Sequence, residues 1–315
     1  MGRFSWAPAA YRQLNGILCV YKPAELQTAK LQAIIQGNLT RDLNALPCYK
    51  VEAKMRRIDS NTDVQTPLVL DSSPLVTDDM LEHRLVLGQR YIPSDVRIRP
   101  LHPLRRHSSG VLLLGLGRGI GDLQFVAMSR FLRVYHVKGR FGWATNNFSP
   151  KGKIIERTSF GHISEEKLDK LCASVQSSHL RNMFQYAGVD PHSQKAYELA
   201  ATGLVRPVDG KTPPMLYSVK CVEFQPPDFT LEIHSINEHC DYFKELIHDI
   251  GLQMKSAAVC TAIRRLRYGH FDLSRALLRK HWTLEHIIDN LRHNRSLLTP
   301  EKLSADLLMQ DCERL

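Results

Sequence analysis

The chain has 315 residues, with 42 Lys and Arg against 32 Asp and Glu and a formal charge of +10. Its 43% hydrophobic and 8% aromatic content can bury a core, which excludes wholesale disorder, and its length suits one large domain or two ordinary ones. The longest apolar run, Gly110 to Gly117, falls far short of the ~20 residues that span a bilayer, so membrane insertion by a helix is excluded.

The first 24 residues hold no acid and carry Arg3, Arg12 and Lys22. Residues 1–14 therefore read as a flexible N-terminus or a basic targeting segment, with Pro8 interrupting any helix. Gly16 to Pro23 reads as a buried strand stopped by proline. Residues 24–50 show helical patches without clean caps. The polar, acidic stretch from Asp59 to Asp79, with Pro67 and Pro74, reads as an exposed insertion around 55–80. Gly110 to Gly117 is a wholly apolar strand, and Asp122 to Leu132 a short helix. Val134 to Phe141 alternates loosely, as a half-buried strand does. A helix begins at Ser164, whose N-cap oxygen and following acids suit the positive end of the dipole. Its buried stripe is Leu168, Leu171, Cys172 and Val175. Tyr217 to Phe224 and Phe229 to Ile236 read as strands joined through Gln225-Pro-Pro-Asp228. Tyr242, Phe243, Leu246, Ile247 and Ile250 mark an amphipathic helix ending at Gly251. Strands and helices mix without strict alternation, which predicts an α+β fold.

The positive charge is clustered. Six arginines lie between Arg84 and His107 against one acid, Asp95, and Arg264, Arg265, Arg267, Arg275, Arg279 and Lys280 surround only Asp272. Guanidinium forks match phosphate oxygens, so the distribution favours a polyanionic partner over a merely solvated surface. Seven scattered cysteines without a Cys-x-x-Cys pair suit a reducing compartment. A zinc site is disfavoured, because His102 and His107 have no cysteine pair nearby at ligand spacing.

Six segments in order carry a resemblance. They are Asn15-Gly-Ile-Leu-Cys-Val-Tyr-Lys-Pro23, Ser109-Gly-Val-Leu-Leu-Leu-Gly115, Arg133 to Thr145, Pro213 to Lys220, Tyr242 to Gly251 and Ile263 to Phe271. Together they resemble the TruB family of RNA pseudouridine synthases, and Ala257 to Arg265 is most similar to its animal mitochondrial branch. The resemblance implies a mixed, mainly antiparallel sheet flanked by helices, with an RNA cleft across it and a mitochondrial location. About 40 residues follow Phe271, too few for the C-terminal PUA module of bacterial relatives. One domain over 15–290 is expected, ending in a helix over 274–290, with a tail from 291 to 315.

The family reaction isomerises uridine in tRNA, mRNA or rRNA without cofactor or metal. An aspartate carboxylate acts on the flipped uridine, an arginine favours its ionised form, and a tyrosine stacks on the base. Tyr135 matches that tyrosine, and Ile263 matches an apolar pocket wall. His102, Arg106, Arg264, Arg265 and Arg267 are the expected RNA contacts. The catalytic pair departs from the pattern. Counting back from Ser109-Gly110 places the family aspartate at Arg105, whereas matching Leu-x-Pro-Leu places it at His102. The arginine of Tyr-x-Arg-x-Leu falls at Lys244. Two cations ~4 Å apart at an effective dielectric near 20 repel by roughly 4 kcal/mol, so an anion must bridge them or water separate them; an RNA phosphate is the expected anion. Three readings follow: an enzyme using a shifted acid, with Asp95 the nearest upstream; an inactive RNA-binding protein; and a scaffold for RNA processing or ribosome assembly.

Overall fold

The computed structural model describes residues 5–48, 88–186, 188–190, 192–202 and 213–299; the expected insertion around 55–80 lies outside them. The described strands are β1 (Gly16–Lys22), β2 (Ile98–Leu101), β3 (Ser108–Leu116), β4 (Arg133–Phe141), β5 (Trp143–Thr145), β6 (Ile154–Arg157), β7 (Met215–Gln225), β8 (Asp228–Ile236), β9 (Ala258–Tyr268) and β10 (Phe271–Asp272). The helices are α1 (Ala7–Gln13), α2 (Thr28–Ala45), α3 (Gly119–Met128), α4 (Glu165–Tyr186), α5 (Gln194–Thr202), α6 (Cys240–Gln253) and α7 (Leu284–Arg295).

Eight strands form one sheet along the path β1-β3-β9-β4-β8-β7, with β2 joined to β3 and β10 to β9. Every pairing is antiparallel except β3 with β9. The unbroken apolar run of β3 follows from burial on both faces. Leu112, Leu114 and Leu116 pack with α1, α2 and α7, while Val111 and Leu113 pack with Leu123 and Val126 of α3. On β8, Phe229, Leu231 and Ile233 face the core under α4 and α6, and Glu232 and His234 are half-exposed. This one-sided cover produces the alternation visible in the sequence.

Three expectations are corrected. Residues 7–13 form a helix rather than a flexible segment: Pro8 sits in its first turn, where no intrahelical N–H is lost, and Ala7 and Ala10 are fully buried. α6 continues through Gly251 to Gln253. That glycine answers to packing, since a Cβ there would lie 2.5 Å from the Ala258 nitrogen. The folded body also continues past 290: α7 runs to Arg295, with Leu291 and Leu297 buried.

Candidate functional site

The loop 102–107 leaves the sheet where it splits. One edge of β3 pairs with β2 over Leu113–Leu116 and with β9 over Ser108–Gly110. Gly110, at φ +114°, permits this approach; a Cβ there would meet the Arg265 carbonyl oxygen at 2.1 Å. Arg265 fills the split. It is 1% exposed, and its guanidinium donates to the carbonyls of Val111 (2.7 Å) and His102 (3.2 Å). This corrects its reading as an RNA contact: carbonyls stranded where two strands diverge need a buried donor. Arg265→Met should cost about 2–3 kcal/mol, because it leaves both carbonyls unpaired, and a urea titration checks this.

Two more groups hold the loop. The fully buried Lys22 ammonium donates to the carbonyls of Pro23, Arg106 and Ser108. Glu25 accepts from His107 and Lys151, each at 2.9 Å, and pairs with Arg106 at 3.3 Å. Bonds first from His107 and then from Lys151 pull the Glu25 carboxyl down to about 2. Arg106 remains largely exposed on the loop.

From this loop Arg105 reaches α6. Its Nη2 lies 2.8 Å from Asp241 Oδ2, and Lys244 Nζ lies 3.0 Å from Asp241 Oδ1. The two positions expected to hold the catalytic pair are thus joined by a carboxylate of the chain itself, which corrects the expectation of a bridging phosphate. Asp241 stands in the first turn of α6, where an acid complements the helix dipole. Partial burial opposes its charge, but Lys244 and Arg105 outweigh this and lower its pKa.

His102 turns the other way. At φ +43° it is accessible as a residue, but its Nδ1 edge lies 2.8 Å from the Tyr268 hydroxyl. Burial of that edge, with the Arg133 and Arg265 guanidiniums nearby, pushes its pKa down to about 3, so the ring is neutral at pH 7. Arg133 lies 5.3 Å over the Tyr268 ring and, through Nη1, 2.7 Å from Glu238 Oε1. That same oxygen accepts the Tyr135 hydroxyl at 2.5 Å. Burial opposes the Arg133 charge, yet adjacent Glu238 keeps the guanidinium protonated. Tyr135 is 2% exposed, and its ring packs on Phe243 with centroids 4.7 Å apart. Neither face of that ring is open to a base here. Burial, then Glu238, pushes its hydroxyl pKa up.

Ile263 is buried in the apolar cluster that contains Tyr135 and Phe243. Arg264 is exposed, with its guanidinium 5.7 Å from the Tyr21 ring centroid, and Arg267, three residues further along β9, is half-buried. The structure does not bring Asp95 to the site. Its carboxylate caps a one-turn helix by accepting the Ile92 N–H, beside Tyr11 and Tyr91 on the α1 side, which removes it as the shifted acid. Sequence reasoning missed Asp241, Glu238 and Arg133. Asp241 alone carried a local signal, an acid three residues before Lys244 on an expected helix.

A mixed, mainly antiparallel sheet thus splits at one loop, and charged groups pass from that loop to a facing helix. TruB family pseudouridylate synthase (N terminal domain) matches residues 101–239. A mitochondrial pseudouridylate synthase TRUB2 of Xenopus tropicalis is 36% identical over 291 residues, 92% of this chain and 89% of that protein. The Homo sapiens protein of the same name is 34% identical, covering 90% and 85%. The tRNA pseudouridine synthase B of Syntrophotalea carbinolica is 28% identical over 70% of this chain and 68% of its own. Among solved structures, the archaeal box H/ACA sRNP Nop10–Cbf5 complex aligns at TM-score 0.43 and 14% identity, over 95% of this chain and 60% of that one. The chain belongs to the TruB family of pseudouridylate synthases.

Proposed function

We propose that this protein isomerises uridine to pseudouridine in a mitochondrial RNA. The observation that carries this reading is the ion pair between the 102–107 loop and α6, in which the Asp241 carboxylate joins the cations at the family's two catalytic positions, Arg105 and Lys244. The location follows the mitochondrial relatives. The partner is RNA, of the tRNA, mRNA or rRNA class, bound by Arg105, Arg106 and Arg264 on the exposed side of the loop and β9. The test is pseudouridine mapping in mitochondrial RNA from cells with and without the protein, beside RNA binding across salt concentrations. Uridines modified only when the protein is present support the reading.

One observation favours a second reading, an RNA-binding protein or scaffold without catalysis: neither residue 102 nor residue 105 is a carboxylate. RNA binding with no protein-dependent pseudouridine selects it. Association with other proteins that survives nuclease selects the scaffold form. In either case Arg106→Ala with Arg264→Ala should weaken RNA binding roughly tenfold at moderate salt and flatten its salt dependence, as two phosphate contacts are lost.

A further inference from the structure

The family pairs a loop carboxylate with a helix guanidinium. Here the loop supplies the guanidinium, Arg105, and the helix supplies the carboxylate, Asp241, while Lys244 keeps a cation at the family arginine position. The same two elements face each other with their charges transposed. We infer that Asp241 is the reacting carboxylate of this site, moved from the loop to the first turn of α6; the inference rests on the reading of the protein as an RNA uridine isomerase.

Accessibility selects Asp241 from the carboxylates around the loop. The Glu238 side chain is 1% exposed and locked between Arg133 and Tyr135. Glu25 is occupied by Arg106, His107 and Lys151 on the far flank of the loop. Asp95 lies on the α1 side. The Asp241 side chain is 39% exposed, open to a nucleotide entering over α6, and two residues further along the helix Phe243 covers the Tyr135 ring. Lys244 and Arg105 hold its carboxylate ionised and fix both oxygens, as the chemistry requires of a nucleophile. The cluster has two cations and one anion, so a net charge of +1 remains. Only Nη2 of Arg105 binds Asp241, and its side chain is 69% exposed. Its remaining N–H groups can take a phosphate beside the target uridine, which balances that charge.

The step is closed in atoms and electrons. One Asp241 oxygen bonds to C1′ of the flipped uridine as C1′–N1 breaks, and the bond pair leaves with uracil as its N1 anion. The ring turns, C5 bonds to C1′, and the carboxylate departs with its electron pair. C5 loses its proton to solvent and N1 takes one up, so no oxidant, reductant or co-reactant enters.

The experiment uses the full chain and 5-tritiated RNA from cells lacking the protein, scoring tritium release and filter retention. The natural protein releases tritium. Asp241→Asn should lower release by about 10³-fold or more, while RNA binding stays equal or tightens a few-fold because Arg105 and Lys244 are freed. That opposite movement of binding and conversion is one a merely structural role does not produce. Asp95→Asn should leave both readouts unchanged. An active natural protein whose Asp241→Asn variant retains conversion within tenfold overturns the proposal and leaves the functional reading standing. A natural protein that binds this RNA but releases no tritium overturns the functional reading, and the proposal with it.

Discussion

Glu238→Ala should destabilise the protein by about 3–5 kcal/mol, since it strips the partner from a buried guanidinium. The two side chains are 4% and 1% exposed, and Glu238 also takes the Tyr135 hydroxyl. The variant leaves a charge at Arg133 with no water to solvate it and a tyrosine donor unpaired. A urea titration reads the loss, and a Tm fall of roughly 10 °C accompanies it. Removing both charges with Arg133→Met and Glu238→Leu should sit closer to the natural protein than either single change, because the desolvation of two ions disappears with them. Buried Arg133 Nε and Glu238 Oε2 already have no hydrogen-bond partner, so the pair retains unmet polar groups that an apolar replacement does not. A double variant no more stable than Glu238→Ala contradicts this account.

Elements became legible where burial matched a simple period. β8 showed itself by alternation because one face is covered, and β3 by its unbroken apolar run because both are. α2 gave only patches: its N-cap position is Gln27, which makes no capping bond, so the sequence lacked a start signal. α1 was hidden by a rule applied too broadly, since proline breaks helix interiors and not first turns. Gly251 misled for the opposite reason. It carries a helix-stop residue type, but its requirement comes from Ala258 on the next strand.

The site was half legible. Motifs led to the 102–107 loop and to Lys244, and both candidate registers end on that loop, with His102 turned inward to Tyr268 and Arg105 outward to α6. The anion between Arg105 and Lys244 was beyond reach because 136 residues separate Arg105 from Asp241. No local pattern announces such a contact. The same holds for Arg133 and Glu238, 105 residues apart. Arg265 was misassigned because an arginine in a basic run has the same letter whether it meets phosphate or a stranded carbonyl.

A transposed pair can be transposed back, and the second large effect follows from doing so. Arg105→Asp alone sets two carboxylates beside Lys244, changes the cleft charge by −2, and should weaken RNA binding roughly tenfold. Asp241→Arg alone leaves three cations and no carboxylate; it should bind RNA at least as tightly as the natural protein and lose about 10³-fold or more of its conversion. The double variant again has one carboxylate and two cations, with the acid on the loop, where the family resemblance expects it. RNA affinity should then return to the natural value, and conversion should exceed that of Asp241→Arg by about 100-fold or more. Two independent sites would add their losses; a shared ion pair does not. The tritium-release assay reads all four proteins side by side. If Asp241→Arg converts as well as the natural chain, the carboxylate on α6 has no part in the chemistry. If the double variant recovers affinity but no conversion, the loop has lost the geometry for an acid and α6 is where this chain requires it.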